Sequence, residues 1–239
     1  MLRKILADGK AEEEFIEDMR KRGEETDAKV TASANEIISA VRNRGDAAIR
    51  EYTMRFDGVE VSEPEVSAEE IEEGIRLTGD ELMRILKRAA ENIREYHKLQ
   101  LSHGYIKVDG DTFCGQVVRG LERVGIYVPG GTAAYPSSVL MNAIPAAVAG
   151  VKEIVMATPP GKDGKVSPAI LAAAKIAGVG RIYKMGGAQA VAALAYGTES
   201  VPAVDKIVGP GNIYVATAKR LVYGKVDIDM IAGPSEVLI

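Results

Sequence analysis

Apolar residues in the first hundred positions recur at intervals of three and four, the spacing of one face of an α-helix. Phe15 and Met19 are an example, and Lys, Arg and Glu fill most positions between such residues. Ser67 followed by Glu70 matches the capping box that opens many helices. The pattern therefore predicts an N-terminal helical scaffold with a charged surface, including helices over 46–56, 67–77 and 80–99.

After about residue 104 the pattern changes to short apolar runs separated by glycine and proline. Two β-rich segments, 105–108 and 114–119, predict a hairpin. Four apolar runs then each end in Gly or Pro and precede a helix of small residues, with the spacing of a βα unit. The predicted strands are 124–128, 153–157, 181–185 and 206–208, with a fifth at 229–232, and the predicted helices are 137–149, 168–177, 188–196 and 212–223.

This alternation predicts the α/β class, with a doubly wound parallel sheet of Rossmann-like or flavodoxin-like type. We expect that domain over 124–235. It follows a helical region with a short β-hairpin over 1–123, which belongs to an incomplete first domain. Residues 236–239 are expected to begin a strand that returns to the first domain. Because the sequence ends on the apolar residues Val237, Leu238 and Ile239, we expect the chain to be a fragment.

The composition indicates a folded protein that is neither disordered nor embedded in a membrane. Of 239 residues, 46% are hydrophobic and 27% are charged, which is enough apolar side chain for a core. No apolar stretch reaches the length of a membrane span. The N-terminus lacks the apolar run of a secretory signal, which predicts a cytoplasmic location. A single cysteine, Cys114, excludes an internal disulfide and a thiolate zinc cage.

Charge and glycine are distributed unevenly along the chain. The first hundred residues hold 17 basic and 24 acidic side chains but six glycines. Residues 101–239 hold 13 basic and 10 acidic side chains and nineteen glycines. The formal net charge of −4 offers no general attraction to nucleic acid or to an anionic membrane. A small molecule is therefore the expected partner, with no nucleic acid and no membrane.

The loops that end in glycine all fall at the carboxyl edge of the predicted sheet. There the N-termini of the following helices attract anionic ligands, and glycine lets the backbone approach a phosphate. The alternative is that these glycines only make the turns. No loop matches Gly-x-Gly-x-x-Gly or a P-loop, and the second strand ends at Ala157-Thr158-Pro159-Pro160 without the ribose carboxylate of a standard dinucleotide fold. The loops indicate a nucleotide-like ligand bound in a non-standard mode.

Three strings in the sequence resemble histidinol dehydrogenase, the last enzyme of histidine biosynthesis. They are RVGIYVPGG at 123–131, GGAQAVAALAYGTESVPAVDKIVGPGN at 186–212 and AGPSEVL at 232–238. The similarity extends from the N-terminal helices to the last residue. The resemblance implies NAD-dependent oxidation of L-histidinol to L-histidine through L-histidinaldehyde. It also implies a zinc enzyme and a homodimer whose active sites draw on both subunits.

Carried over residue by residue, the resemblance implies that Tyr127, Gln189 and Asn212 contact NAD and that Ser235 contacts the substrate. The residue types suit these roles, because Tyr127 offers a ring and a hydroxyl and the two amides donate and accept hydrogen bonds. Each residue also has an ordinary structural alternative. Tyr127 could be a core residue, Gln189 and Asn212 could cap helices, and Ser235 could be a turn or capping residue.

The resemblance further implies a zinc ion held by Gln, His, Asp and His, and a Glu-His pair for acid-base catalysis. All of these lie downstream of the Pro-Ser-Glu-Val-Leu string, just after which this sequence stops. His97 and His103 match neither motif and are expected at the surface or in a linker. We therefore expect no catalytic or zinc-binding residue in this chain. Three interpretations stay open: the dehydrogenase, an inactive NAD-binding module, or a structural half that self-associates.

Overall fold

Helices and strands alternate regularly through the second half of the chain and follow a largely helical first half. The computed structural model describes residues 8–130 and 134–231, and only the backbone for 18–27. Within these ranges no helix combines the length and hydropathy needed to cross a membrane. The helices are α1 (Ala11–Arg44), α2 (Asp46–Asp57), α3 (Ala68–Thr78), α4 (Asp80–Lys98), α5 (Pro136–Val148), α6 (Pro168–Ala177), α7 (Gly187–Tyr196) and α8 (Ile213–Val222). The strands are β1 (Tyr105–Asp109), β2 (Thr112–Gln116), β3 (Arg123–Tyr127), β4 (Glu153–Thr158), β5 (Arg181–Lys184), β6 (Lys206–Val208) and β7 (Asp227–Ile228).

The central sheet has five strands in the order β5-β4-β3-β6-β7, and all neighbouring pairs are parallel. The first strand of this sheet, β3, lies at its centre. Strands β4 and β5 lie on one side of β3, and β6 and β7 lie on the other. This is the strand order of the Rossmann type rather than of the flavodoxin type. The predicted doubly wound α/β class is confirmed.

One face of the sheet is covered by α1, α2, α7 and α8. Helix α7 is almost entirely apolar, and its residues from Ala188 to Ala195 are all buried. Its many alanines are small enough to let the helix lie close to both the sheet and α1. Residues from α1 and α2, such as Ile37 and Ile49, belong to the same apolar cluster as Leu194 of α7. Helices α1 and α2 therefore share an apolar cluster with this face of the sheet.

The other face is covered by α5 and α6, against which α3 and α4 form a further layer. Ser67 caps α3, and the predicted capping box with Glu70 is present in both directions. Gly74 of α3 lies against Leu171 of α6 so closely that a Cβ atom would sit 2.6 Å from the Leu171 Cδ1. The two helices approach closely because glycine leaves that space free.

A short segment between α2 and α3 carries the chain from one face of the sheet to the other across the edge strand β5. Its backbone pairs with the strand through Val66 N–H to the Ile182 oxygen at 2.8 Å and Lys184 N–H to the Pro64 oxygen at 2.7 Å. Arg181 on β5 donates two hydrogen bonds to the Glu65 carboxylate, at 2.9 and 2.7 Å. The segment therefore covers this edge of the sheet.

Two predicted strands lie at different positions in the structure. The second strand of the hairpin is Thr112–Gln116, not 114–119, because Gly110 adopts a φ of 56° and a two-residue turn pairs Asp109 with Thr112. The last strand is Asp227–Ile228, whereas residues 229–231 of the predicted strand are outside it and residue 232 lies beyond the described residues. The Asp229 carboxylate hydrogen-bonds the backbone beyond β6, so the residue belongs to the loop.

Candidate functional site

The sheet reverses its winding between β3 and β6, and the carboxyl ends of these two strands lie side by side. In doubly wound sheets this reversal opens the crevice in which ligands bind. Gly209 follows β6 with a φ of 115°, and a Cβ there would lie 2.1 Å from the carbonyl oxygen of Tyr127. Glycine is therefore required at this position so that the two strand ends can meet.

Tyr127 is the last residue of β3 and is buried on the face that carries α7. Its side chain is 4% exposed. The hydroxyl accepts a hydrogen bond of 3.1 Å from the backbone N–H of Gly187, the first residue of α7. Burial raises the pKa of the Tyr127 hydroxyl, the Gly187 hydrogen bond opposes that rise, and the charge of Asp57 adds to it. Tyr127 thus belongs to the core and also connects the sheet reversal to the start of α7.

Gln189 lies in the first turn of α7 and does not cap that helix. It is 1% exposed, and neither its Oε1 nor its Nε2 has a hydrogen-bond partner among the described residues. A Cβ on Gly187 would lie 2.6 Å from Gln189 Oε1, so the carboxamide folds back over the residue that bonds Tyr127. Leaving two buried polar atoms unpaired is costly, and a ligand that supplied partners would remove this cost.

Asn212 is exposed and stands at the N-terminus of α8. Its Oδ1 accepts a hydrogen bond of 3.1 Å from the backbone N–H of Val215, so the capping alternative is confirmed for this residue. The cap uses the carbonyl end of the side chain and fixes its orientation after Gly211. Contact with a cofactor stays a prediction for Asn212, as it does for Tyr127 and Gln189. Ser235 lies outside the described residues.

The residues with potential metal or redox chemistry do not gather at this site. His97 is half-buried near the end of α4, with Nδ1 2.6 Å from Gln100 Oε1. His103 is exposed in the linker after α4, and Cys114 is exposed on β2. In the described part of the chain, no three His, Cys, Asp or Glu side chains are grouped so as to hold a metal.

Two loop glycines at the carboxyl edge are explained by packing. Cβ atoms on Gly130 and Gly186 would lie 2.7 and 2.8 Å from the ring of Pro159. At these two positions packing against Pro159 therefore accounts for glycine without a ligand. Beside them, a cleft of about 430 Å³ opens between α3 and the ends of β3 and β4, on the opposite face from Gln189.

An ion pair that the sequence did not reveal holds the loop after β6 in place. Lys219 of α8 is 3% exposed, and its ammonium donates to the Asp229 carboxylate and, at 2.9 Å, to the carbonyl oxygen of Gly209. Asp229 Oδ2 in turn accepts from the Gly209 N–H at 2.9 Å. Both polar backbone atoms of Gly209 are therefore fixed. The available signal was one lysine among the apolar residues of α8.

Asp57 is a second residue that the sequence did not mark as functional. It ends α2, is half-buried, and its Oδ2 is buried without a hydrogen-bond partner among the described residues. Burial raises the pKa of the Asp57 carboxyl to about 6. One turn earlier, the fully buried Thr53 hydroxyl is also unpaired. The signal was an acid at the C-terminal end of a helix, where the helix dipole disfavours negative charge.

The strand order and the arrangement of this edge define a doubly wound α/β protein of the Rossmann type. Comparison with known proteins then gives the family. The chain belongs to the histidinol dehydrogenase family, because the family model described as Histidinol dehydrogenase matches residues 20–239.

Curated relatives agree with this assignment. Histidinol dehydrogenase of Clostridium acetobutylicum is 53% identical over 238 residues, which cover 99% of this chain and 55% of that protein. Histidinol dehydrogenase of Bacillus subtilis is 59% identical over 205 residues, covering 85% of this chain and 48% of that protein. The chain spans about half the length of the curated relatives it matches.

A solved structure shows the same fold. The crystal structure of histidinol dehydrogenase from Elizabethkingia anophelis superposes with a TM-score of 0.81 at 41% sequence identity. The match covers 85% of this chain and 48% of that one.

Proposed function

We propose that this chain binds NAD at the reversal of its sheet and forms the cofactor-binding part of a histidinol dehydrogenase. The reaction is the four-electron oxidation of L-histidinol to L-histidine through L-histidinaldehyde, in which each of the two steps transfers a hydride to one NAD and water supplies the second carboxylate oxygen. Family membership supports the reaction. The single structural observation that carries the binding site is the buried carboxamide of Gln189, which has no hydrogen-bond partner among the described residues and folds over Gly187, the donor to the Tyr127 hydroxyl.

Each proposed contact has a distinct part in binding. Gln189, buried at the carboxyl edge of the sheet, offers both a hydrogen-bond donor and an acceptor, and Tyr127 offers its hydroxyl and ring. Asn212 keeps its amide N–H groups for a ligand while its oxygen caps α8. The N-terminus of α8 behind Gly211 carries free backbone N–H groups and the positive end of a helix dipole, which suits a pyrophosphate.

The remaining expectations for the whole protein are proposals that follow from the family. Ser235 contacts the substrate, and the protein is a cytoplasmic homodimer. Zinc is a cofactor expected from the resemblance to the family, but the described residues do not provide a group of ligands that fits it. We therefore assign no zinc ligand to the described ranges and no step to the metal.

Calorimetric titration with NAD tests the binding site, and it suits a chain that contains no tryptophan. We expect the unaltered chain to bind NAD and Gln189→Leu to bind it roughly tenfold or more weakly, as for loss of hydrogen bonds that nothing replaces. Gln116→Leu, on the exposed strand β2, is the matched control and should bind normally. Unchanged affinity in Gln189→Leu would remove the basis for this site.

Activity requires a separate assay. Formation of NADH from NAD and L-histidinol, with zinc supplied, is followed by absorbance. Turnover supports the dehydrogenase as the function of this chain. Binding of NAD without turnover supports the second candidate, an NAD-binding or assembly module of the same family.

A further inference from the structure

The C-terminal end of α2 brings unpaired polar groups to the same edge of the sheet as Gln189. Asp57 and Thr53 lie one turn apart and therefore on the same side of α2. Helix α2 packs against α7, whose first turn carries Gln189. The charge of Asp57 also acts on the Tyr127 hydroxyl, which accepts a hydrogen bond from the start of α7. Asp46, at the start of α2, accepts a hydrogen bond of 3.0 Å from the Ser200 hydroxyl beyond the end of α7, so the C-terminal end of α2, with Asp57, lies toward the start of α7.

A structural role does not explain the carboxylate of Asp57. A partner cation would stabilise it, but burial is the cause that shifts its pKa and its Oδ2 has no hydrogen-bond donor among the described residues. It also stands at the negative end of the α2 dipole. An ionised, half-buried and unpaired acid costs stability, and such groups concentrate at binding sites where a ligand completes them.

The chemistry of the Asp57 carboxylate limits which ligand groups it could bind. An ionised carboxylate only accepts hydrogen bonds, so its ligand must present donors and must not present an anion at that point. Vicinal hydroxyls of a ribose meet both conditions. In doubly wound folds a carboxylate at the end of the second strand does this for NAD, while a 2′-phosphate needs a cation instead. Here the second strand of the sheet, β4, ends in Ala157-Thr158-Pro159 and has no such acid.

The segment that follows Asp57 contacts the loop after β4. Val59, two residues further on, contacts the loop that follows β4, since a Cβ on Gly164 would lie 3.4 Å from the Val59 Cγ1. The carboxylate of Asp57 is thus two residues from a contact with the loop that follows β4, the strand whose end lacks an acid.

We propose that Asp57 accepts a hydrogen bond from the 2′-hydroxyl of the adenosine ribose of NAD and excludes the 2′-phosphate of NADP. The inference rests on the proposed NAD-binding function. It assigns cofactor specificity to α2, a helix that lies before the sheet in the sequence.

The test is a set of calorimetric titrations with NAD, NADP and 2′-deoxy-NAD. Unaltered chain should bind NAD at least tenfold more tightly than NADP or the deoxy analogue. Asp57→Asn should bind NAD about tenfold more weakly, as expected for loss of a hydrogen bond to a charged group, and should distinguish the three ligands by less than about threefold. Glu60→Gln removes an exposed carboxylate nearby and is the matched control, with unchanged binding.

The possible outcomes separate this inference from the proposed function. If Asp57→Asn binds NAD normally, or still rejects NADP and the deoxy analogue as the unaltered chain does, Asp57 does not recognise the ribose, although the NAD site stands. If the unaltered chain binds no NAD, the proposed function and this inference both fail. Thermal unfolding of each variant shows whether it is folded, and Asp57→Ser replaces Asp57→Asn if the latter is not.

Discussion

At the scale of single residues, burial without a partner separates the candidate ligand contacts from the structural polar groups. Asn212 and Lys219 are both satisfied by the protein, one as a helix cap and the other in an ion pair. Gln189 and Asp57 are not satisfied among the described residues. Because unpaired buried groups reduce stability, their presence at one edge of the sheet is better explained by binding than by folding.

The carboxyl of Asp57 should make stability depend on pH. Its pKa is raised from 3.8 to about 6, so the folded state holds the proton more tightly than the unfolded state. Stability should therefore fall as the pH rises from about 4 to about 6 and stay reduced above that range. The full shift corresponds to about 3 kcal/mol, which solvent screening of a half-exposed group reduces to roughly 1–2 kcal/mol.

Asp57→Asn removes this penalty because its side chain does not ionise. The variant should be more stable than the unaltered chain by about 1–2 kcal/mol at pH 8, and the difference should shrink as the pH approaches 4. Urea unfolding followed by circular dichroism at several pH values measures both quantities. A variant equally or less stable at pH 8 would contradict the view that the Asp57 carboxylate is unpaired.

The ion pair of Lys219 should matter far more than a similar pair on the surface. Lys219→Met removes the cation that pairs with the Asp229 carboxylate and the ammonium that donates to the Gly209 carbonyl, and we expect a loss of about 2–4 kcal/mol. Lys206 of β6 and Asp227 of β7 form a more exposed pair of 2.7 Å. Lys206→Met should cost less than about 1 kcal/mol. Equal losses in chemical denaturation would show that the burial of Lys219 is unimportant.

The family resemblance nominated three residues of the candidate site, whereas nothing in the sequence pointed to Asp57, for a physical reason. Tyr127, Gln189 and Asn212 stand directly at strand ends or helix starts, so the alternation of strands and helices places them at one edge. Asp57 reaches that edge from α2, and only the packing of α2 on α7 brings it there. Spacing along the chain carries no information about such a contact. The cap made by Asn212, by contrast, is local and could be predicted.

At the scale of elements, α3 and α6 show how one glycine sets the distance between two helices. Gly74→Ala should gain about 1 kcal/mol in helix propensity. The new Cβ would lie 2.6 Å from the Cδ1 and 3.0 Å from the Cβ of Leu171, which is buried and cannot move away freely. We expect the clash to prevail, with a net loss of about 1–2 kcal/mol.

A double-mutant cycle separates propensity from packing at this contact. Leu171→Ala alone should lose about 2–4 kcal/mol by leaving a cavity. In that background Gly74→Ala should become neutral or stabilising, because the clash is gone and the propensity gain remains. If Gly74→Ala destabilises equally in both backgrounds, Leu171 is not the residue that makes glycine necessary.

The predicted boundaries of helices and strands agree closely with the structure where the sequence carries a local signal. The capping box of α3 and the glycines after the sheet strands gave their elements correctly. The second strand of the hairpin was placed two residues too late because the predicted turn, 109–113, was too long, although Gly110-Asp111 was the stronger turn signal. The last strand was displaced because the pairing of Asp229 with Lys219 is a tertiary contact, which ends the strand earlier than its apolar pattern suggests.

At the scale of the whole molecule, the β1–β2 hairpin is the part least connected to the core. All ten of its strand residues are exposed. The strand register places Ile106, Val108 and Phe113 on one face, where Phe113 is 73% exposed, while Thr112 lies on the other. An apolar face of this kind commonly belongs to an interface.

Phe113→Lys should therefore weaken association between copies of the chain and leave its stability within about 0.5 kcal/mol. Thr112→Lys adds the same charge on the opposite face and serves as the control. Sedimentation velocity over a range of concentrations measures association, and thermal unfolding measures stability. A dimer that is unaffected by Phe113→Lys, or affected equally by Thr112→Lys, would place the proposed homodimer contact elsewhere.

The packing of α1 and α2 against α7 and α8 has a consequence for biosynthesis on the ribosome. The apolar faces of α1 and α2 are covered by α7 and α8, which are translated more than a hundred residues later. At elongation rates of about 5–20 residues per second, those faces stay uncovered for several seconds while the sheet strands emerge. The nascent chain is thus a client for chaperones until α7 leaves the exit tunnel, and slowing translation before that point should increase its aggregation.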